Sequence, residues 1–217
     1  MSIRKSKMKK YTVKEIFYTL QGEGYNAGKA AIFCRFTGCN LWNGKEKDRK
    51  KSICSFCDTD FLGTNGALGG QYSLENLVNK ITKLWPQYKK NKFVVFTGGE
   101  PLLQLDQLLI DRLKNNNFKV AVETNGTILP PLRIDWICVS PKVKSNFILK
   151  KANEIKVVYP QENLDPKKYE KLNFDHFYIQ PLYNKNLKEN NKKAIEFILN
   201  NPSWKLSVQS HKYIGVQ

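Results

Sequence analysis

Three cysteines, Cys39, Cys54 and Cys57, form a C-x14-C-x2-C pattern in this sequence. Three thiolates can bind three irons of a 4Fe–4S cubane and leave the fourth iron open. An open iron can be chelated by the amine and carboxylate of S-adenosylmethionine. Electron transfer from the reduced cluster then cleaves the sulfonium C–S bond and yields a 5′-deoxyadenosyl radical. The two-residue gap suits two ligands of one cluster, because a tight turn aims both thiols at one point. Including Cys34 gives C-x4-C-x14-C-x2-C, which is also the spacing of a four-thiolate zinc ribbon. On the cysteines alone zinc competes on at least equal terms. Against it, Cys34 lies inside the apolar run Ala31-Ile32-Phe33-Cys34-Arg35-Phe36. A strand there puts Ile32, Cys34 and Phe36 on one face and Arg35 on the other, which makes Cys34 a small core residue. A zinc ribbon is also a small module, whereas this loop is embedded in a longer chain with further motifs. Cys138, in Trp136-Ile137-Cys138-Val139, reads as core on the same grounds.

The elements that must hold these thiols alternate in type. Strands are expected at 31–36, 93–96, 119–123, 136–139, 154–158, 177–180 and 205–208. Several are short, continuously apolar runs, as in a parallel sheet covered on both faces. Helices are expected over 73–85, with Ser73 as N-cap, over 101–115, starting at Pro101, and over 188–200. Such alternation implies βαβ units with right-handed crossovers. The chain is shorter than the ~250 residues of a full (β/α)₈ barrel, so a partial, open parallel β/α barrel of about six strands is expected. One domain spans 1–217, with a cluster loop over about 39–72, where apolar periodicity is weak.

Composition narrows the classes. The hydrophobic content of 41% excludes wholesale disorder, and no stretch of about 18 apolar residues exists to cross a membrane. An odd count of five cysteines without a secretory leader argues against a disulfide framework and for the cytoplasm. The formal charge of +17 attracts phosphate, but the lysines are scattered rather than gathered into a stripe. A solvated surface is expected, not a specific nucleic-acid site.

The order of motifs resembles the 7-carboxy-7-deazaguanine synthase family of radical S-adenosylmethionine enzymes, in the branch with an expanded C-x14-C-x2-C loop. The resemblance runs from about Tyr11 to Gln217. It rests on Leu20-Gln21-Gly22-Glu23-Gly24, Phe33-Cys34-Arg35-Phe36, Gly38-Cys39-Asn40-Leu41-Trp42, Cys54-Ser55-Phe56-Cys57-Asp58-Thr59-Asp60-Phe61, Thr97-Gly98-Gly99-Glu100-Pro101, Glu123-Thr124-Asn125-Gly126, Val139-Ser140-Pro141-Lys142, Ile179-Gln180-Pro181 and His211-Lys212-Tyr213. Each motif alone is weak; their joint order is specific.

The resemblance implies cofactor contacts from Phe56, Cys57, Asp58 and Gly99, from Ser140, Pro141 and Lys142, and from Gln180, Pro181, Leu182 and Tyr183. Glu123 and Asn125 follow a strand, where barrel enzymes place active-site groups, and could bind the cofactor ribose. Substrate contacts are implied for Leu20, Gln21 and Gly22, with Glu23 nearby, and for Arg35 and Thr97. A planar guanidinium at Arg35 suits bidentate capture of a carboxylate; the alternative is a strand arginine paired with an acidic neighbour. The resemblance singles out Thr59 for Mg²⁺, and the oxygen donors of Asp58-Thr59-Asp60 suit that ion. The implied reaction is radical ring contraction of 6-carboxy-5,6,7,8-tetrahydropterin to 7-carboxy-7-deazaguanine with loss of ammonia, toward queuosine and related deazapurines. Implied partners are the pterin, a flavodoxin- or ferredoxin-like electron donor and a second copy of the chain. The chain end is expected near the site, with His211 inside, the carboxylate of Gln217 accepting hydrogen bonds from the pterin, and Tyr213, Ile214 and Val216 docking across the opening.

Overall fold

The structure is a computed structural model that describes residues 9–87 and 89–216. Among the described residues, nine strands form one sheet: β1 (Tyr11–Leu20), β2 (Ala30–Phe36), β3 (Gly70–Tyr72), β4 (Phe93–Gly98), β5 (Lys119–Thr124), β6 (Trp136–Val139), β7 (Lys151–Tyr159), β8 (Asn173–Pro181) and β9 (Trp204–Leu206). Their order is β3-β1-β2-β4-β5-β6-β7-β8-β9. Neighbours from β2 through to β9 are parallel, while β1 runs antiparallel to both β2 and β3. This is the incomplete barrel that the alternating pattern implied, with one more parallel strand than expected.

The α-helices of the described residues that accompany the sheet are α1 (Leu74–Leu84), α2 (Gln107–Asn115), α3 (Leu187–Asn200) and α4 (Ser210–Ile214). Ser73 caps α1 by accepting from the Asn76 amide, and Leu77, Val78 and Ile81 form its buried stripe. That stripe, with Leu109, Ile110 and Leu113 of α2, packs on the outer face of β1, β2, β4 and β5. A second core of Ile155, Val157, Ile179, Ala194 and Trp204 joins α3 to β7, β8 and β9. Cys34 is fully buried in the first core beside Ile32 and Phe36, as the strand alternation required, and Cys138 is equally enclosed.

Three expectations are corrected here. The helix over 101–115 is broken into a single 3-10 turn, Pro101–Leu103, and α2. The break is chemical: Asp106 accepts from the Leu109 amide and starts a new helix, so it cannot also lie inside the old one. The strand over 205–208 ends at Leu206. Strand β1 was missed because a bulge between Val13 and Glu15 breaks its alternation.

The segment after β1 crosses toward the far end of the sheet. The carbonyl of Gly22 accepts from the Ser210 amide and hydroxyl, and the amide of Gly24 donates to Ser207. Chain just past β9 is thereby tied to chain just past β1.

Candidate active site

Residues on the inner face of the sheet enclose a cavity of about 410 Å³. Every strand except the short β3, β6 and β9 contributes a lining side chain from its own length.

One wall carries Cys39, Cys54 and Cys57 with Phe56, Asp58 and Thr59. The Cys54 thiol donates to Cys57, and that bond lowers the pKa of the Cys57 thiol and favours its thiolate. Burial pushes the Cys39 thiol up, as it does those of Cys34 and Cys138. Gly99 backs directly onto Cys39: a Cβ there would lie 2.5 Å from the Cys39 Cβ and 2.3 Å from the Gly38 carbonyl. Gly98 approaches Phe36 as closely, at φ +146. Glu100 locks these loops together. Its buried carboxylate accepts from the amides of Leu102 (3.0 Å) and Asn125 (2.8 Å) and from the Thr124 hydroxyl (2.9 Å). The Asn125 side-chain amide in turn donates to Asn40, next to Cys39. Three sequence motifs are thus one hydrogen-bonded unit around the thiols.

The opposite wall is ionic. Lys156, on β7, is 3% exposed and donates to Glu23 (2.6 Å) and Glu123 (2.9 Å). Gln21 donates to the other Glu123 oxygen, and Gln209 to the other Glu23 oxygen. Burial would raise the Glu23 carboxyl, but the Lys156 ammonium overcomes it and holds the group at about 2. Burial would lower the Lys156 ammonium, but the surrounding acidic groups, Cys138 and the carboxylates of Glu123, Glu23 and Glu154, outweigh it and hold its pKa well above the ordinary value. His211 packs on Gly22, where a Cβ would lie 2.2 Å from its Nδ1, and burial lowers its pKa. Beneath, Glu154 accepts from the Tyr25 amide and the Trp136 indole, so it anchors the turn that carries Glu23.

The remaining expected residues fall between these walls. Arg35 lines the cavity with its Nε bonded to Glu15 Oε1 at 2.8 Å, across the β1–β2 register. It is therefore both a cavity residue and the acid-paired strand arginine. Leu20, Thr97, Gln180, Pro181, Leu182 and Tyr183 also line the cavity, and Lys142 reaches it with its ammonium bonded to Ser140 Oγ and O, each at 2.7 Å. Pro141 is buried behind this turn and does not line the cavity. Gln217 lies outside the described residues. Tyr213, Ile214 and Val216 do not dock across the opening: they stay exposed, and α4 buries no residue. His211 and Lys212 take that place, because one turn of helix aims those two inward and the apolar side chains out.

Sequence reading missed Lys14, Glu15, Phe17, Phe33, Lys156 and Gln209, all of which line the cavity. For Phe33 the signal was there, since it alternates with Cys34 on β2. For Lys156 the signal was a lysine between the apolar Ile155 and Val157, on a strand that also carries Glu154.

These residues fit a 4Fe–4S cluster with S-adenosylmethionine. Three thiols line one wall, beside Gly99, whose missing Cβ lets its loop pack directly on Gly38 and Cys39. Mg²⁺ has less to hold it. Asp60 is bonded to the buried Lys14 and Asp58 to Lys212, each at 2.7 Å, which leaves Thr59 as the protein oxygen not tied to a lysine ammonium.

An incomplete parallel barrel with three cysteines at its cavity defines a radical S-adenosylmethionine enzyme, and residues 50–144 match the Radical SAM superfamily. Curated relatives narrow this. The chain is 52% identical to a 7-carboxy-7-deazaguanine synthase of Bradyrhizobium diazoefficiens and 52% identical to one of Burkholderia multivorans, over 95% of this chain and 99% of each relative. The crystal structure of QueE from Escherichia coli superposes with a TM-score of 0.68 at 30% identity, covering 93% of this chain and 95% of that one. The chain belongs to the 7-carboxy-7-deazaguanine synthase family.

Proposed function

We propose that this chain contracts the ring of 6-carboxy-5,6,7,8-tetrahydropterin to 7-carboxy-7-deazaguanine, with loss of ammonia, in queuosine and deazapurine biosynthesis. The observation that carries the reading is one cavity lined by the three cysteines and, opposite them, by the Gln21–Glu23 segment with Lys156 and Glu123. When bound, the cluster and S-adenosylmethionine supply a 5′-deoxyadenosyl radical.

The chain's own residues bind, orient and shield. Gly98 and Gly99 let backbone approach the cofactor, and Ser140, Lys142, Gln180 and Leu182 border the same space. Arg35, aimed by Glu15, is placed to meet the pterin carboxylate. Glu23, Glu123 and Lys156 offer a fixed set of acceptors and donors opposite, whose charges are already paired before substrate enters. Mg²⁺ is assigned to Thr59, with water and substrate oxygens completing its shell. An external flavodoxin- or ferredoxin-like protein supplies the electron. A homodimer is supported by Leu206, Val208 and Tyr213, exposed together at and just beyond the edge strand β9. Five free cysteines support a cytoplasmic address, and no helix among the described residues is long and apolar enough to cross a membrane.

Anaerobic incubation of the reconstituted protein with the carboxypterin, S-adenosylmethionine and dithionite tests the reading. The expected result is 7-carboxy-7-deazaguanine with ammonia in equal amount. Cofactor cleavage without pterin consumption would sink the substrate assignment.

A further inference from the structure

The fourteen residues between Cys39 and Cys54 are more than spacer, because one side chain within them reaches back to the ligand turn. Residues Glu46–Lys51 form a 3-10 helix, and Arg49 in its middle projects to the Cys54–Cys57 turn. Its Nη1 donates to the carbonyl of Cys57 at 2.8 Å and to that of Ser55 at 3.2 Å. Its Nε and Nη2 are held by the two oxygens of Glu46 at 2.7 and 2.5 Å. The guanidinium plane lies 4.1 Å from the ring centre of Trp42, three residues beyond Cys39. Trp42 is itself buried, edge-on to Phe61, with its indole bonded to the Lys45 carbonyl. A single guanidinium therefore touches the segment after the first ligand cysteine and the turn carrying the other two.

We propose that Arg49 is a positioning residue for the cluster, holding the Cys54–Cys57 turn against the Cys39 segment and stabilising the reduced cluster by its charge. This rests on the cluster reading above. Only arginine meets the requirement, since it offers several donors in a fixed plane, stacks on an indole and stays charged. Lysine keeps the charge but cannot span two carbonyls and a ring at once. The carbonyls it grips belong to the ligand turn, so the contact orients ligands from outside the iron's own shell and tunes its potential. The bland alternative is a half-exposed surface arginine paired with Glu46 in the same short helix, with no consequence for iron.

Three variants separate the two: Arg49→Met, Arg49→Lys and Glu46→Gln, each reconstituted anaerobically with iron and sulfide. Readouts are iron per protein, release rate to a chelator, the reduced cluster's paramagnetic resonance and its midpoint potential. Trypsin cleavage of the apo-protein loop over 45–51 gives a readout without iron. Arg49→Met should release iron at least several-fold faster, titrate at a more negative potential and be cleaved faster. Arg49→Lys should recover the potential but not the retention, and Glu46→Gln, which removes the carboxylate that offsets the Arg49 charge, should titrate at a less negative potential while retaining iron near the parent's level. Arg49→Met with the parent's retention and potential would overturn the proposal while leaving the enzyme reading intact. A parent protein that binds no iron would end both.

Discussion

The wall that faces the cluster is built mainly of backbone, and the wall that faces it across the cavity mainly of charge. At the first, Gly98 and Gly99 bring main chain within van der Waals reach of Phe36 and Cys39, and Glu100 ties neighbouring amides together. At the second, Lys156 stands between Glu23 and Glu123, with Gln21 and Gln209 bonded to the remaining oxygens. The difference suits the two tasks. A cluster and a sulfonium cofactor need room and fixed amides, whereas a pterin with its carboxylate and ring amides needs directed donors and acceptors. It also divides how each wall can fail. The first fails by losing a ligand or gaining a methyl group, the second by losing charge balance.

The largest effect should come from the ligand wall. Replacing Cys39, Cys54 or Cys57 with alanine leaves one iron unanchored and should abolish cluster binding, read as loss of iron and of visible absorption. Cys34→Ser and Cys138→Ser should keep iron, with a stability cost of about 1–3 kcal/mol for a polar atom placed in the core. Iron lost from Cys34→Ser but kept in Cys39→Ala would reverse the assignment.

A smaller but selective effect belongs to the ionic wall. Lys156→Met removes the shared cation and leaves two carboxylates facing each other, which should cost about 3–5 kcal/mol in urea unfolding of the apo-protein. Product formation should fall with it, while iron content stays. Adding Glu23→Gln should return part of the lost stability, because one uncompensated charge is then gone. Loss of iron in Lys156→Met would show that the two walls are not independent.

How much could be read beforehand follows the same division. The ligand wall was legible because its parts are close in sequence: two cysteines three residues apart, a glycine pair at a strand end, an asparagine–glycine turn. All seven expected strands match to within four residues at each end, since continuous apolar runs such as Phe93-Val94-Val95-Phe96 have few alternatives. The ionic wall was not legible as a unit. Glu23 and Lys156 are 133 residues apart and Glu23 and Gln209 are 186 apart; only the curvature of the sheet brings them together. Lys156 gave one local sign, a charge between the apolar Ile155 and Val157, but nothing nearby named its partners. The split of the 101–115 helix was hidden for a related reason, because Asp106 fits a helix interior until its capping role is seen.

The smallest effect, and the sharpest comparison, lies in acid titration of one carboxylate from each wall. Glu23 is held near 2 by Lys156, below its ordinary value of 4.5. Its ionised form therefore stabilises the fold above about 4.5, and that contribution drains away as pH falls from there toward 2. The full contribution has an upper bound of about 3–4 kcal/mol. Glu100 runs the other way: burial raises its carboxyl despite three donors, so protonation at falling pH favours the folded state. The two act in adjoining ranges, Glu100 above about 4.5 and Glu23 below it, so the parent's stability should rise slightly as pH falls toward 4.5 and then decline toward pH 3. Glu23→Gln removes the second of these and should flatten that decline. Lys156→Met should also flatten it and add to the gain above 4.5, because an unpaired buried Glu23 then prefers its proton. Urea midpoints of the apo-proteins at intervals from pH 6 to pH 3 measure this directly. Parallel curves for the parent and Glu23→Gln would mean that Lys156 does not hold Glu23 down, and the ionic wall would lose its central contact.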